Sequence, residues 1–333
     1  MLVDASLGNG DQATANAIAR EAESSGVRSF MADFTGDYWI KLVLDQCDYL
    51  TEIQAWPLSA ELNPRAWLDN FTDDERPFAA ELLERFIYLS KPLVKRIFRE
   101  SFRQLSQLHW RESMDANATE ASWNEFLVDV TITRVTGETP SDADSGFEFA
   151  RMARQELSLA EHQIVAPEIA LQRLLDGSTN YVVFVDDFVG SGRQFIETWY
   201  RKYEINDGPP VSFNAIASEK SGARFCYCAV LCTTYGANKI KDSCKAVILS
   251  PGHWLDSRHS AIHADSQIWS PARKTSARQF IEKASQRAGI PTHCVFGFHK
   301  LALALAFYYS PPDATLPLFY WNENGWNPLL ERA

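Results

Sequence analysis

The stretch Tyr181-Val-Val-Phe-Val-Asp-Asp-Phe-Val-Gly-Ser-Gly-Arg-Gln-Phe195 decides how the rest of the chain is read. Residues 181–185 carry no charge. They read as a strand buried on both faces, as in a parallel sheet. Two adjacent carboxylates follow, Asp186 and Asp187, and then Phe188-Val189-Gly190-Ser191-Gly192. A helix is expected to open near Gln194, with Phe195, Ile196 and Trp199 on its apolar side. Glycines let a backbone turn tightly and approach a ligand closely. Amides of a loop running into a helix N-terminus point outward with partial positive charge and make an anion site. Carboxylates just before such a loop suit ribose hydroxyls or magnesium-bound water, and would not help to bind bare phosphate. A phosphorylated polyol fits both halves of the stretch. Neither Gly-x4-Gly-Lys-Ser/Thr nor Gly-x-Gly-x-x-Gly occurs, which sets aside those two phosphate motifs. The alternative reading is any strand–turn–helix of a doubly wound domain.

The stretch resembles the phosphoribosyl-diphosphate (PRPP) signature of type I phosphoribosyltransferases, in which hydrophobic residues run into two acids and a short loop of small and hydroxyl residues. The resemblance implies that Asp186 and Asp187 are the catalytic acids and hold the ribose hydroxyls. It implies that Val189, Gly190, Ser191, Gly192, Arg193 and Gln194 cradle the 5′-phosphate, with Mg2+ arriving on PRPP. Two positions depart from the pattern. Gly190 stands where a hydroxyl residue is common, and Arg193-Gln194 replaces a small-residue ending. Arg193 either pairs with phosphate or points into solvent.

Composition bounds the rest. The chain of 333 residues makes one large domain or two, and 46% hydrophobic residues suffice for a sizeable core. A net charge of −11 argues against general nucleic-acid backbone binding and against an anionic membrane surface. No apolar run reaches membrane-spanning length, and residues 1–30 are too polar for a signal peptide, so a cytoplasmic protein is expected. Cys226, Cys228 and Cys232 fall on even positions of one apolar strand and read as core thiols sharing a face. No Cys-x-x-Cys occurs, and no structural metal is expected.

In chain order, residues 1–28 read as a loosely attached, flexible segment. Residues 29–110 read as a helical, tryptophan-rich subdomain that packs on or covers the sheet, with Asn63 and Pro64 as the cap and first position of one helix. Residues 79–88 and 93–108 carry apolar residues at helical spacing. Residues 110–122 read as loop, and 125–133 as a strand. Its exit, residues 134–146, leads to a helix begun by Phe147. Residues 155–180 read as helix broken at Pro167. Residues 211–218, 224–233 and 245–250 read as strands and 235–243 as a helix, an alternation that supports a parallel sheet. His253, His259 and His263 form H-x5-H-x3-H, but with no acid motif nearby they are not read as a metal site. Residues 301–307 read as a helix leading into a Pro-rich turn.

In a type I phosphoribosyltransferase the early loop faces the donor's pyrophosphate. Carried over, Gly137, Ser145 and Gly146 form the pyrophosphate-side loop; the other reading is a surface turn with N-capping Asp and Ser. Asp142 and Asp144 would repel pyrophosphate without a cation. Such enzymes often insert a β-hairpin with catalytic residues where residues 155–180 lie, and no such hairpin is found there. The 297–321 ending, Trp326-Asn-Pro-Leu-Leu330, the 137–146 loop and the 185–194 signature together look like the phosphoribosyltransferase-like domain of bacterial conflict systems, PRTase-CE. That resemblance spans roughly residues 35–332. It implies an anti-phage defence role with a protein partner from the same system.

The expectation is an α/β protein, type I phosphoribosyltransferase-like, with a mostly parallel sheet, flanking helices and a helical N-terminal elaboration; the α/β domain proper is placed at 120–333. The leading function is a PRPP-binding, magnesium-using transferase or related enzyme acting at ribose C1′. The alternative is a non-catalytic sensor that binds PRPP or a nucleotide and switches a partner.

Overall fold

The computed structural model describes residues 36–109, 116–136, 145–205 and 208–332. The expectations for residues 1–28 and for Gly137, Asp142 and Asp144 fall outside these. Among the described residues, a four-stranded sheet runs β2 (Thr131–Arg134), β3 (Tyr181–Val189), β4 (Arg224–Thr233) and β5 (Val247–Leu255) in that spatial order, every pair parallel. Helices cover both faces, as a parallel sheet requires. Helices Pro167–Asp176, Arg193–Tyr200, Phe213–Glu219 and Thr234–Ser243 share one core with Val182, Phe184, Phe225 and Tyr227. Helices Lys91–Arg103, Ala116–Asp129 and Ser145–Glu156 share the opposite core with Val183, Val185, Cys226 and Cys228.

A third core joins distant parts of the chain. Helices Gly36–Glu52, Pro64–Leu68 and Arg76–Glu84 pack with helix Ala277–Ala288 and with residues 290–330. Its centre is Trp67, fully buried, stacked on Phe319 at 5.2 Å and donating its indole N–H to the Leu318 carbonyl at 2.7 Å. Residues 29–110 therefore divide, with 43–86 in this core and 91–103 on the sheet. A two-stranded parallel pair, β1 (Ile87–Leu89) with β6 (Leu305–Phe307), stands between them. Asn63 caps its helix through Ala66 N at 3.0 Å, with Pro64 at the first position.

Several local expectations are corrected. Residues 116–129 are helical, and the strand is confined to Thr131–Arg134. Trp123, Phe126 and Val130 recur at helical spacing towards the core, whereas Val128 is 81% exposed. Residues 213–219 form a helix rather than a strand, opened by Ser212, whose hydroxyl accepts from Ala215 N at 3.2 Å. Residues 79–88 split into the end of a helix at Glu84 and strand β1. The expected helix at 301–307 is instead the approach to β6. Ala302, Ala304 and Ala306 face the third core, and Leu303, Leu305 and Phe307 the sheet-covering one, an alternation of period 2. Cys232 does not share a face with Cys226 and Cys228. The β3–β4 register passes from Asp186↔Ala229 to Phe188↔Leu231. Across that step the faces exchange: Phe188 and Leu231 join one core, Val189 and Cys232 the other. The exchange falls where Asp187 N and Phe188 N donate to the Asp186 and Asp187 carboxylates, at 3.0 and 2.7 Å.

Candidate functional site

The strand predicted for 181–185 continues through both acids to Val189. Gly190-Ser191-Gly192 then turns into the Arg193–Tyr200 helix. Gly192 has φ of 75°, a left-handed conformation that favours glycine, and as N-cap it offers no side chain to the helix's first amides. Ser191 Oγ accepts from Arg193 N at 3.3 Å. The turn is held from β4: the Thr233 hydroxyl donates to the Gly190 carbonyl and accepts from Gly236 N at 2.9 Å. Gly236 must be bare, because a β-carbon there would meet the Gly190 oxygen at 2.5 Å.

This turn opens on a cavity of about 420 Å³ at the C-terminal end of β3. Asp187, Val189, Gly190, Ser191, Gly192, Arg193 and Gln194 all line it. The opposite wall is apolar and aromatic: Phe298, Leu301, Phe307, Tyr309, Pro311 and Pro312. Arg193 pairs with Glu197 one turn along its own helix, Nε to Oε1 at 2.8 Å. Arg332, at the cavity edge, is ion-paired to Asp313 and lies over the Tyr320 ring at 4.9 Å.

The two acids occupy different surroundings. Asp186 is buried, does not line the cavity, and accepts the Tyr227 hydroxyl at 2.9 Å. Burial, and next the charge of Asp187, push its carboxyl well above the usual carboxylate range, against the pull of the Tyr227 hydrogen bond. Tyr227 itself lines the cavity, and its phenol is pushed up by burial and by Asp186. Asp187 is half-buried, and its Oδ2 accepts the Tyr309 hydroxyl. Ser145 and Gly146 open the Ser145–Glu156 helix, and Gly146 does not line the cavity. Gly146 is buried against the Val135 carbonyl at the exit of β2. That helix reaches the acids indirectly, through Glu148, which accepts the Tyr308 hydroxyl; Tyr308 meets Tyr309 edge-on at 4.9 Å.

The PRTase-CE family model matches residues 64–332, which include the whole of this site. The chain belongs to the PRTase-CE family. No curated protein matches it. Among PRTase-CE features read from the sequence, the acid-and-glycine stretch converges on one cavity. Tyr227 and Tyr309 were missed. Tyr227 had a signal, as the one hydroxyl in the run 225–232 of an otherwise apolar strand. Tyr309 lay in a segment read only as the lead into a proline turn. Among the described residues no three His, Cys, Asp or Glu side chains group to hold a metal, the 253–263 histidines included. His259 Nδ1 lies 3.0 Å from Asp256 Oδ1, and Asp256 pairs with Arg258 at 2.7 Å. No helix among the described residues is long and apolar enough to cross a membrane.

Proposed function

We propose that this PRTase-CE chain binds PRPP with magnesium in the cavity beneath β6, on a type I phosphoribosyltransferase-like scaffold, as a component of an anti-phage defence system. The observation that carries the reading is the convergence of Asp187 and the 189–194 turn on one cavity. The start of the Arg193–Tyr200 helix, where the N-cap Gly192 offers no side chain, suits the 5′-phosphate. Asp187 suits a ribose hydroxyl, and Asp186 acts at one remove, through the Tyr227 hydroxyl. The donor set fits magnesium carried by substrate oxygens: Asp187 offers one hard carboxylate on the cavity, and no protein cage surrounds it among the described residues. Magnesium so bound would neutralise the diphosphate. Transfer would break the C1′–O bond to diphosphate, which leaves with the bonding electrons, and form a bond from C1′ to an acceptor or to water. The acids and amides would contribute by positioning and by stabilising charge. The aromatic wall suits a ring-bearing acceptor or nucleotide.

A second reading, a sensor that binds the same ligand without turnover, draws support from the burial of Asp186 and the engagement of both acids by tyrosines. Among the described residues, 155–180 also hold helices and no strand hairpin. Calorimetric titration of PRPP with magnesium into the wild type and Asp187→Asn tests binding. Binding that the substitution weakens supports the site, and wild-type protein that binds nothing overturns both readings. A pyrophosphate-release assay then separates enzyme from sensor.

A further inference from the structure

We propose that Tyr309 is a positioning residue for Asp187: its hydroxyl fixes the carboxylate on the cavity and thereby sets the affinity for a magnesium-carrying sugar diphosphate. The inference rests on the PRPP reading above. Asp187 is held at both oxygens, Oδ1 by Phe188 N at 2.7 Å and Oδ2 by the Tyr309 hydroxyl. A carboxylate has about four acceptor positions, so these two donors do not by themselves exhaust it. The two residues lie 122 positions apart, and the contact is therefore a product of tertiary structure rather than of a local turn.

Tyr309 is itself fixed. Its ring stacks on Phe307 with centroids 5.5 Å apart and planes at 18°. Phe307 N donates to the Ser310 carbonyl at 3.2 Å and closes the turn. Pro311 and Pro312 restrict the backbone that follows, and Asp313 is anchored by Phe298 N to its carbonyl at 2.7 Å and by Arg332 to its carboxylate. A donor held this firmly is a built wall, not a flap. Carboxylates that take part in metal binding are oriented by outer partners of this kind, and losing one costs about 10–100-fold in metal affinity. If the hydroxyl instead competed with ligand for Asp187, its removal would tighten binding.

Tyr309→Phe keeps the ring and its stack, so the fold is preserved, and a thermal melt checks this. PRPP with magnesium chloride is titrated calorimetrically into wild type, Tyr309→Phe, Asp187→Asn and the double variant. Ribose 5-phosphate with a chelator is titrated in parallel. The expected result is a loss of about 10–100-fold for magnesium-PRPP in Tyr309→Phe. A much smaller loss is expected for ribose 5-phosphate, and no further loss when Tyr309→Phe is added to Asp187→Asn. Wild-type binding that Tyr309→Phe leaves unchanged or strengthens overturns the inference alone. Equal losses for both ligands, or additive losses in the double variant, also overturn it by reducing Tyr309 to packing. A wild type that binds neither ligand overturns the functional reading together with it.

Discussion

The 190–192 turn depends on a bare backbone at a residue far from it in sequence. A β-carbon at position 236 would meet the Gly190 oxygen, at 2.5 Å, and the Val189 side chain, at 3.0 Å. Gly236→Ala should therefore cost about 1–3 kcal/mol in urea denaturation, the usual cost of overpacking, and should weaken ribose 5-phosphate binding by shifting the turn. A midpoint and affinity equal to wild type would show that the turn is not held from β4. At this scale the sequence was informative wherever chemistry resides in residue type. Two acids and a Gly-Ser-Gly turn after an apolar run mark a candidate anion site in the sequence itself. The burial of Asp186 was not legible, because its hydroxyl partner, Tyr227, lies 41 positions away on the neighbouring strand. The side-chain exchange at Asp187 was equally hidden, since it falls where each carboxylate accepts the amide of the residue after it.

Leu-Ala-Leu-Ala-Leu-Ala-Phe at 301–307 shows how an element can be misread by composition. Leucine and alanine are strong helix formers, yet their strict alternation is the period of a strand. The structure follows the period: small residues face the crowded third core and large ones the core above the sheet. Ala306→Leu should then destabilise the protein by about 1–3 kcal/mol, measured by urea denaturation, because Ala306 is fully buried in that core and extra methylenes there overpack it. A neutral substitution would contradict that packing. The opposite case is 125–129 and 213–218, where short apolar runs suit a strand by composition and are helix, while Thr131–Arg134 is strand as expected. There the period of the buried residues, Trp123, Phe126 and Val130 in the first and Phe213 and Ile216 in the second, was the better guide. The long runs at 181–185 and 224–233 were legible because a strand buried on both faces tolerates little but apolar residues.

Across the whole molecule, early and late residues share the third core, and polar contacts reinforce it. Arg287 bonds the Glu75 carboxylate with both terminal nitrogens and lies over Trp326 at 5.9 Å. Burial raises the Glu75 pKa, but hydrogen bonds from Arg287 and Thr72 with the Arg287 charge outweigh it, and the net direction is downward. A depressed carboxyl stabilises the fold above its ordinary value of 4.5 and loses that contribution as pH falls through the folded value. The stability gap between wild type and Glu75→Gln, read from urea midpoints, should therefore be full near neutrality and close below pH 4.5. A gap of constant size on acidification would argue that Glu75 contributes by packing. None of these long-range pairings was visible in the sequence, where nothing marks residues so far apart as neighbours. They also give the site a history. During synthesis at about 5–20 residues per second, Asp187 leaves the ribosome roughly 6–24 s before Tyr309, 122 positions later, can reach it. For that interval the acid end of β3 is exposed on a nascent chain that lacks its aromatic wall. The pocket is thus completed only after the 122 positions between the two residues are made, and a translational pause between them would lengthen the period in which the half-built cavity is open to chaperones.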